Sequence, residues 1–111
     1  MRISHEDHGV TSLVALAGDF LEESCEVFKK TVSERFESGI RNIVLDMTGV
    51  AVIDSVGLES LLWVNDESTR NSGRFKMVGI GGNVSEALNV TRLVRRFDLE
   101  ESVESAARSL R

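Results

Sequence analysis

Val50-Ala51-Val52-Ile53-Asp54-Ser55-Val56-Gly57-Leu58-Glu59-Ser60-Leu61-Leu62 is the stretch that decides how this chain is read. An apolar approach ends in Asp-Ser, and Leu58, Leu61, Leu62 and Asn65 then recur at helical spacing. A helix is therefore expected to begin near Asp54 or Ser55, with those four residues facing inward, and to finish before Gly73. Gly57 falls in its first turn, where a missing side chain lets another surface approach the backbone. One of Asp54 and Ser55 serves as N-cap, a role that contributes about 1 kcal/mol. The unpaired N–H groups and the positive dipole end at such a position also favour an anion, so a phosphate on Ser55 is compatible with the fold.

Working outward, Val10–Ala17 is an apolar-rich stretch between Gly9 and Gly18 and reads as a strand, with Arg2–Glu6 pairing to it through a turn at Asp7-His8-Gly9. Leu21, Cys25, Phe28, Val32 and Phe36 follow the spacing of one helical face, and Gly39 supplies a C-terminal stop. Ile43-Val44-Leu45 reads as an interior strand ending at Asp46. After the signature helix come a strand at Phe75–Val78, the loop Gly79–Asn83, a short helix through Leu88 capped by Asn83 or Ser85, and a short strand at Val94–Phe97. A terminal helix is expected with Leu99, Val103, Ala106, Ala107 and Leu110 on one face. This alternation predicts a single α/β domain over residues 1–111, a mixed sheet of four to five strands covered by about four helices.

Composition excludes several classes. With 111 residues the chain has room for one domain, and 41% hydrophobic with 28% charged residues is the balance of a globular protein. Thirteen Lys plus Arg against eighteen Asp plus Glu leave a net charge of -5, which offers phosphate backbones and anionic lipid no overall attraction. Direct nucleic-acid binding is not expected. No apolar run suits a membrane span and the first residues lack a signal-peptide profile, so neither membrane insertion nor export is expected and a cytoplasmic location is. The single Cys25 rules out an internal disulfide, and its place on the first helix's apolar stripe makes it a small core residue.

Other candidate sites have ordinary readings. On a strand His5 and His8 point to opposite faces, which does not make a metal site. Gly79-Ile80-Gly81-Gly82 lacks both the spacing of a dinucleotide fingerprint and the lysine of a P-loop. Asp46 sits where a receiver domain keeps its phospho-acceptor, but neither the acidic pair nor the lysine of such a site is present; it is expected to close its strand beside the signature loop. Arg92, Arg95 and Arg96 form a basic patch in an acidic chain and suit a solvated face. Trp63 lines a second helix side with Val56 and Ser60, a position for either partner contact or coverage of the core's edge. No nucleophile, base and oxyanion set occurs at readable spacing, so no catalytic activity is expected.

Ile53-Asp54-Ser55-Val56-Gly57-Leu58, followed by Leu61 and Leu62, resembles the signature of the STAS domain as found in bacterial anti-sigma factor antagonists. Leu16-Ala17-Gly18-Asp19, Ile43–Asp46, the Gly73–Val78 strand and Val84–Leu93 match the family's order, so the resemblance spans nearly the whole chain. It implies that Ser55 is phosphorylated by an ATP-dependent kinase that is itself the anti-sigma factor, and that a PP2C-like phosphatase reverses the modification. It further implies partner binding through Asp54, Ser55, Val56, Gly57, Ser60 and Trp63, with no cofactor and no metal. Val56 departs from the Ser or Thr that many antagonists carry there, and it cannot hydrogen-bond to a phosphate or a kinase loop. The alternative role for such a domain is a constitutively binding scaffold, for example in a lipid-transport ABC system.

Overall fold

In Thr11–Ala17 (β2) burial alternates: Ser12, Val14 and Leu16 are buried, whereas Thr11, Leu13 and Ala15 are half-buried. That period of two gives the sheet two unequal faces. The computed structural model of the chain describes residues 1–110. Arg2–His8 (β1) pairs antiparallel with β2, and Asn42–Gly49 (β3), Phe75–Val78 (β4) and Asp98–Glu100 (β5) run parallel to it in the order β1-β2-β3-β4-β5.

Glu22–Glu37 (α1), Ser55–Arg70 (α2) and Gly82–Val90 (α3) connect the parallel strands. Crossovers of one hand that step steadily in one direction must lay their helices on the same face. The core shows this: Val14, Leu16, Ile43, Leu45, Met47, Phe75 and Met77 from the sheet pack with Phe28, Val32, Leu61, Val64 and Leu88 from the helices. Phe20 meets Phe28 edge-on at 4.9 Å between ring centroids. Among the described residues, the opposite face is covered by Val103–Ser109 (α4), whose Val103 and Ala106, with Leu110, pack on Val44, Val78 and Leu13.

Several boundaries differ from the sequence reading. The first turn lies at Gly9-Val10, with Gly9 at φ 61°, so β1 continues through Asp7 and His8. Arg35 of α1 donates to Asp7 at 2.7 Å and holds the strand's end down. β3 does not stop at Asp46 but runs on to Gly49, pairing Asp46 with both Ala15 and Val78. The Asp46 carboxylate accepts from the Thr48 backbone N–H at 3.0 Å and its hydroxyl at 2.6 Å. Neither Asn83 nor Ser85 caps α3; Gly81 does, without a side-chain bond.

The expected strand at Val94–Phe97 is instead a 3₁₀ turn over Leu93–Arg96, entered through Arg92 at φ 62°. Phe97 closes it by packing edge-on against Phe75. The strand begins only at Asp98, after the whole expected segment, because its anchor is electrostatic: Lys76, 2% exposed, donates to Asp98 and to Glu100 at 3.2 Å. The Lys76 bond and a second from Ser109 hold the Glu100 carboxyl below its ordinary range. Leu99 therefore belongs to β5 rather than to the terminal helix, and Ala107 is exposed. That helix starts at a capping box in which the Ser102 and Ser105 side chains each bond the other's backbone.

Candidate functional site

The signature segment reaches α2 in an extended conformation and pairs with the loop that leads from β2 into α1. Phe20 N–H donates to Val52 O at 2.9 Å, Asp54 N–H donates to Phe20 O at 3.2 Å, and Phe20 and Ile53 form an isolated parallel bridge. The starts of α1 and α2 are thereby brought side by side.

Asp54 is the N-cap of α2, with its Oδ1 accepting from Gly57 N–H at 2.8 Å. Its Oδ2 accepts from Glu22 N–H, also at 2.8 Å. Leu21 caps α1 and has no side chain able to accept, so one carboxylate satisfies the first turns of two helices. Gly57 has an internal reason as well: a Cβ there would lie 2.7 Å from both Phe20 O and Ile53 Cγ1. The surface that approaches this glycine is the chain's own β2–α1 loop.

Ser55 is the first helical residue and is exposed. Because Asp54 fills the cap, the Ser55 hydroxyl is free of that duty. The exposed carboxylates Glu22, Glu23 and Glu26 of α1 and Glu59 of α2, with half-buried Asp54, make an acidic rim at the two helix starts, which also holds half-buried Lys29 and exposed Ala51 and Val52. A cleft of about 350 Å³ opens between α1 and α2, lined by Glu22, Glu23, Cys25, Glu26, Lys29 and Val56. On the other side a cleft of about 360 Å³ separates Thr48, Val50 and Ala51 from the glycine loop before α3.

The remaining signature residues divide between surface and interior. Val56 is half-buried. Ser60, expected to help contact a partner, is fully buried with its hydroxyl donating to Val56 O at 3.0 Å, so its side chain presents no surface. Gly57 is buried too. Trp63 is half-buried against the core, and the Lys29 ammonium stands 5.8 Å from its ring centroid, a cation–π distance. The inward face of α2 is Gly57, Leu58, Ser60, Leu61, Val64 and Ser68; Leu62 and Asn65 are only half-buried. Burial raises the Cys25 thiol above its ordinary range, and its Sγ lies 3.3 Å from Leu21 O.

His5 and His8 occupy opposite faces of β1, beside Asp7 at 3.6 Å and Glu6 at 3.4 Å respectively. Among the described residues no group of three or more His, Cys, Asp or Glu is arranged to hold a metal. Nor is any of their helices long and apolar enough to cross a membrane. Sequence reasoning missed Phe20 and the Glu22 amide as parts of the site. The available signal was an apolar N-cap on α1, which requires an acceptor from elsewhere.

Solved structures share this fold. An anti-sigma factor antagonist from Mycobacterium paratuberculosis is 21% identical, with a TM-score of 0.86 over 98% of this chain and 92% of that one. The anti-sigma factor antagonist SpoIIAA in its unphosphorylated form is 17% identical, with a TM-score of 0.74 over 97% of this chain and 96% of its own. The phosphorylated form of SpoIIAA, described as a Bacillus cell fate determinant, gives 17% and 0.76 over 99% and 100%. At these identities the likeness establishes the fold. The STAS domain family model matches residues 2–106, nearly the full length, and with that match the chain belongs to the STAS domain family.

Proposed function

We propose that this domain is an anti-sigma factor antagonist in a partner-switching pathway, a non-catalytic ligand whose state is written on Ser55. The observation that carries the reading is the exposed Ser55 at the first residue of α2, released from capping by Asp54. In the unphosphorylated form, the α2 start and its neighbours Asp54, Val56 and Trp63 dock on an ATP-binding serine kinase that otherwise sequesters a sigma factor. Phosphorylation adds about -1.5 to -2 charges. Asp54 already holds the amides of Gly57 and Glu22, so the added charge falls within an acidic rim and acts at the partner's surface rather than on the fold. The similar TM-scores to the two forms of SpoIIAA, 0.74 and 0.76, support a switch that leaves the domain folded. A PP2C-like phosphatase resets the serine.

The test pairs Ser55→Ala with Ser55→Asp in calorimetric titration against the cognate kinase, beside denaturant unfolding. With Asp54 as the cap, both variants should unfold within about 1 kcal/mol of the parent. Ser55→Ala should bind persistently and Ser55→Asp should lose most of its affinity. Equal affinity of the two would replace this reading with a constitutive scaffold.

A further inference from the structure

We propose that the second face of the sheet holds a binding site for a small alkylammonium ligand, a compact aliphatic chain ending in a cationic nitrogen. The site lies apart from Ser55 and its basis is independent of the partner-switching reading. α4 packs on β3, β4 and β5, and its Val103, with Leu110, reaches as far as Leu13 of β2. Between α4 and β1 runs a groove of about 380 Å³, a volume in the range of small-molecule sites. Leu13 and Val44 form its floor, and Val103 and Ala107 its wall, with Glu6 and His8 on one rim and Glu104 on the other.

The pairing register explains the choice of ligand. One row of side chains crosses this face as Glu6, Leu13, Val44, Lys76 and Asp98. At β4, the Lys76 alkyl chain lies buried and its ammonium meets Asp98 and Glu100. The groove beside α4 repeats that chemistry with the lysine left out: a floor of half-buried Leu13 and the edge of buried Val44, between the carboxylates of Glu6 and Glu104. No lysine or arginine among the described residues lines the groove. Among the described residues, the ion-pair partner found for either carboxylate is His8, 3.4 Å from Glu6. A carboxylate ligand would meet like charge on both rims. A docking helix would need three or four apolar anchors over two turns, and the floor supplies two.

The experiment is an amide-shift NMR titration of the intact domain with n-hexylammonium, n-hexanoate and methylammonium. Hexylammonium should shift the amides of Thr11, Leu13, Val44 and Val103–Ala107, while the other two, lacking the charge or the chain, should bind at least about tenfold more weakly. In Glu6→Gln/Glu104→Gln hexylammonium affinity should fall at least about fivefold, and Ala107→Leu, on an exposed helix position, should block the groove. Thermal unfolding of both variants should match the parent, which keeps loss of binding distinct from loss of fold. Hexanoate binding as tightly as hexylammonium, shifts centred elsewhere, undiminished binding by the variants, or no saturation below about 10 mM would each overturn the assignment.

Discussion

Replacing Asp54 tests the claim that one carboxylate secures two helices. Its two oxygens accept from Gly57 N–H and Glu22 N–H, each at 2.8 Å. Loss of an N-cap acceptor costs about 1 kcal/mol, and a bond to an ionised acceptor about 1.5–3 kcal/mol. Asp54→Ala removes both bonds and the favourable charge at two positive helix ends, so it should destabilise by about 2–4 kcal/mol. For a domain of this length that lowers Tm by about 8–16 °C. Asn caps nearly as well as Asp but has one accepting oxygen; its amide nitrogen faces a second donor. Asp54→Asn should therefore cost about half as much as Asp54→Ala. The assay is urea denaturation of all three proteins, with native-state amide exchange read at Glu22 and Gly57. Exchange should quicken at both amides in Asp54→Ala. A cost below about 1 kcal/mol for Asp54→Ala, or quickening at Gly57 alone, would refute the shared cap.

Gly57→Ala must place its methyl 2.7 Å from Phe20 O and Ile53 Cγ1, so it should cost about 1–3 kcal/mol in denaturant unfolding; a neutral substitution would contradict the close approach. Bonds from Lys76 and Ser109 lower the Glu100 pKa below its ordinary 4.5, so its stabilising contribution is complete above that value and disappears as pH falls through the lower folded-state value. Glu100→Gln should therefore be less stable at neutral pH, with a shallower loss of stability in acid; superimposable acid limbs would count against the Lys76 clamp. Cys25, 4% exposed and with its thiol pKa raised by burial, should react with a thiol reagent only as fast as the domain opens, and rapid labelling of native protein would contradict the packing.

The fold was most legible where burial follows one period. The stripe from Leu21 to Phe36 located α1 almost to its ends, and Phe75–Val78 emerged as β4 with its bounds intact. β5 was hidden because its pairing is fixed by Asp98 and Glu100 gripping Lys76, and apolar periodicity is blind to a strand anchored by charge. On α2, Leu62 and Asn65 continue a leucine pattern that reads as inward, whereas the buried face takes in the small Ser60 and Ser68 instead. At the site, Asp-Ser before a helix was enough to anticipate an N-cap beside an exposed hydroxyl. The second bond of Asp54 crosses 32 residues of chain to Glu22, and local patterning carries no such distance.

The strands stand in the sheet in the order in which the chain supplies them. No strand has to be threaded between two partners already joined, so the nascent polypeptide can assemble outward from the β1–β2 hairpin, each βα unit adding to the free edge left by its predecessor. Polarity of growth also sets where damage is tolerated. The last unit, β5 with α4, joins a single neighbouring strand, and its departure would leave four paired strands while freeing Lys76 from both of its carboxylates. A lesion at the β1 end would instead remove the template on which everything later is laid.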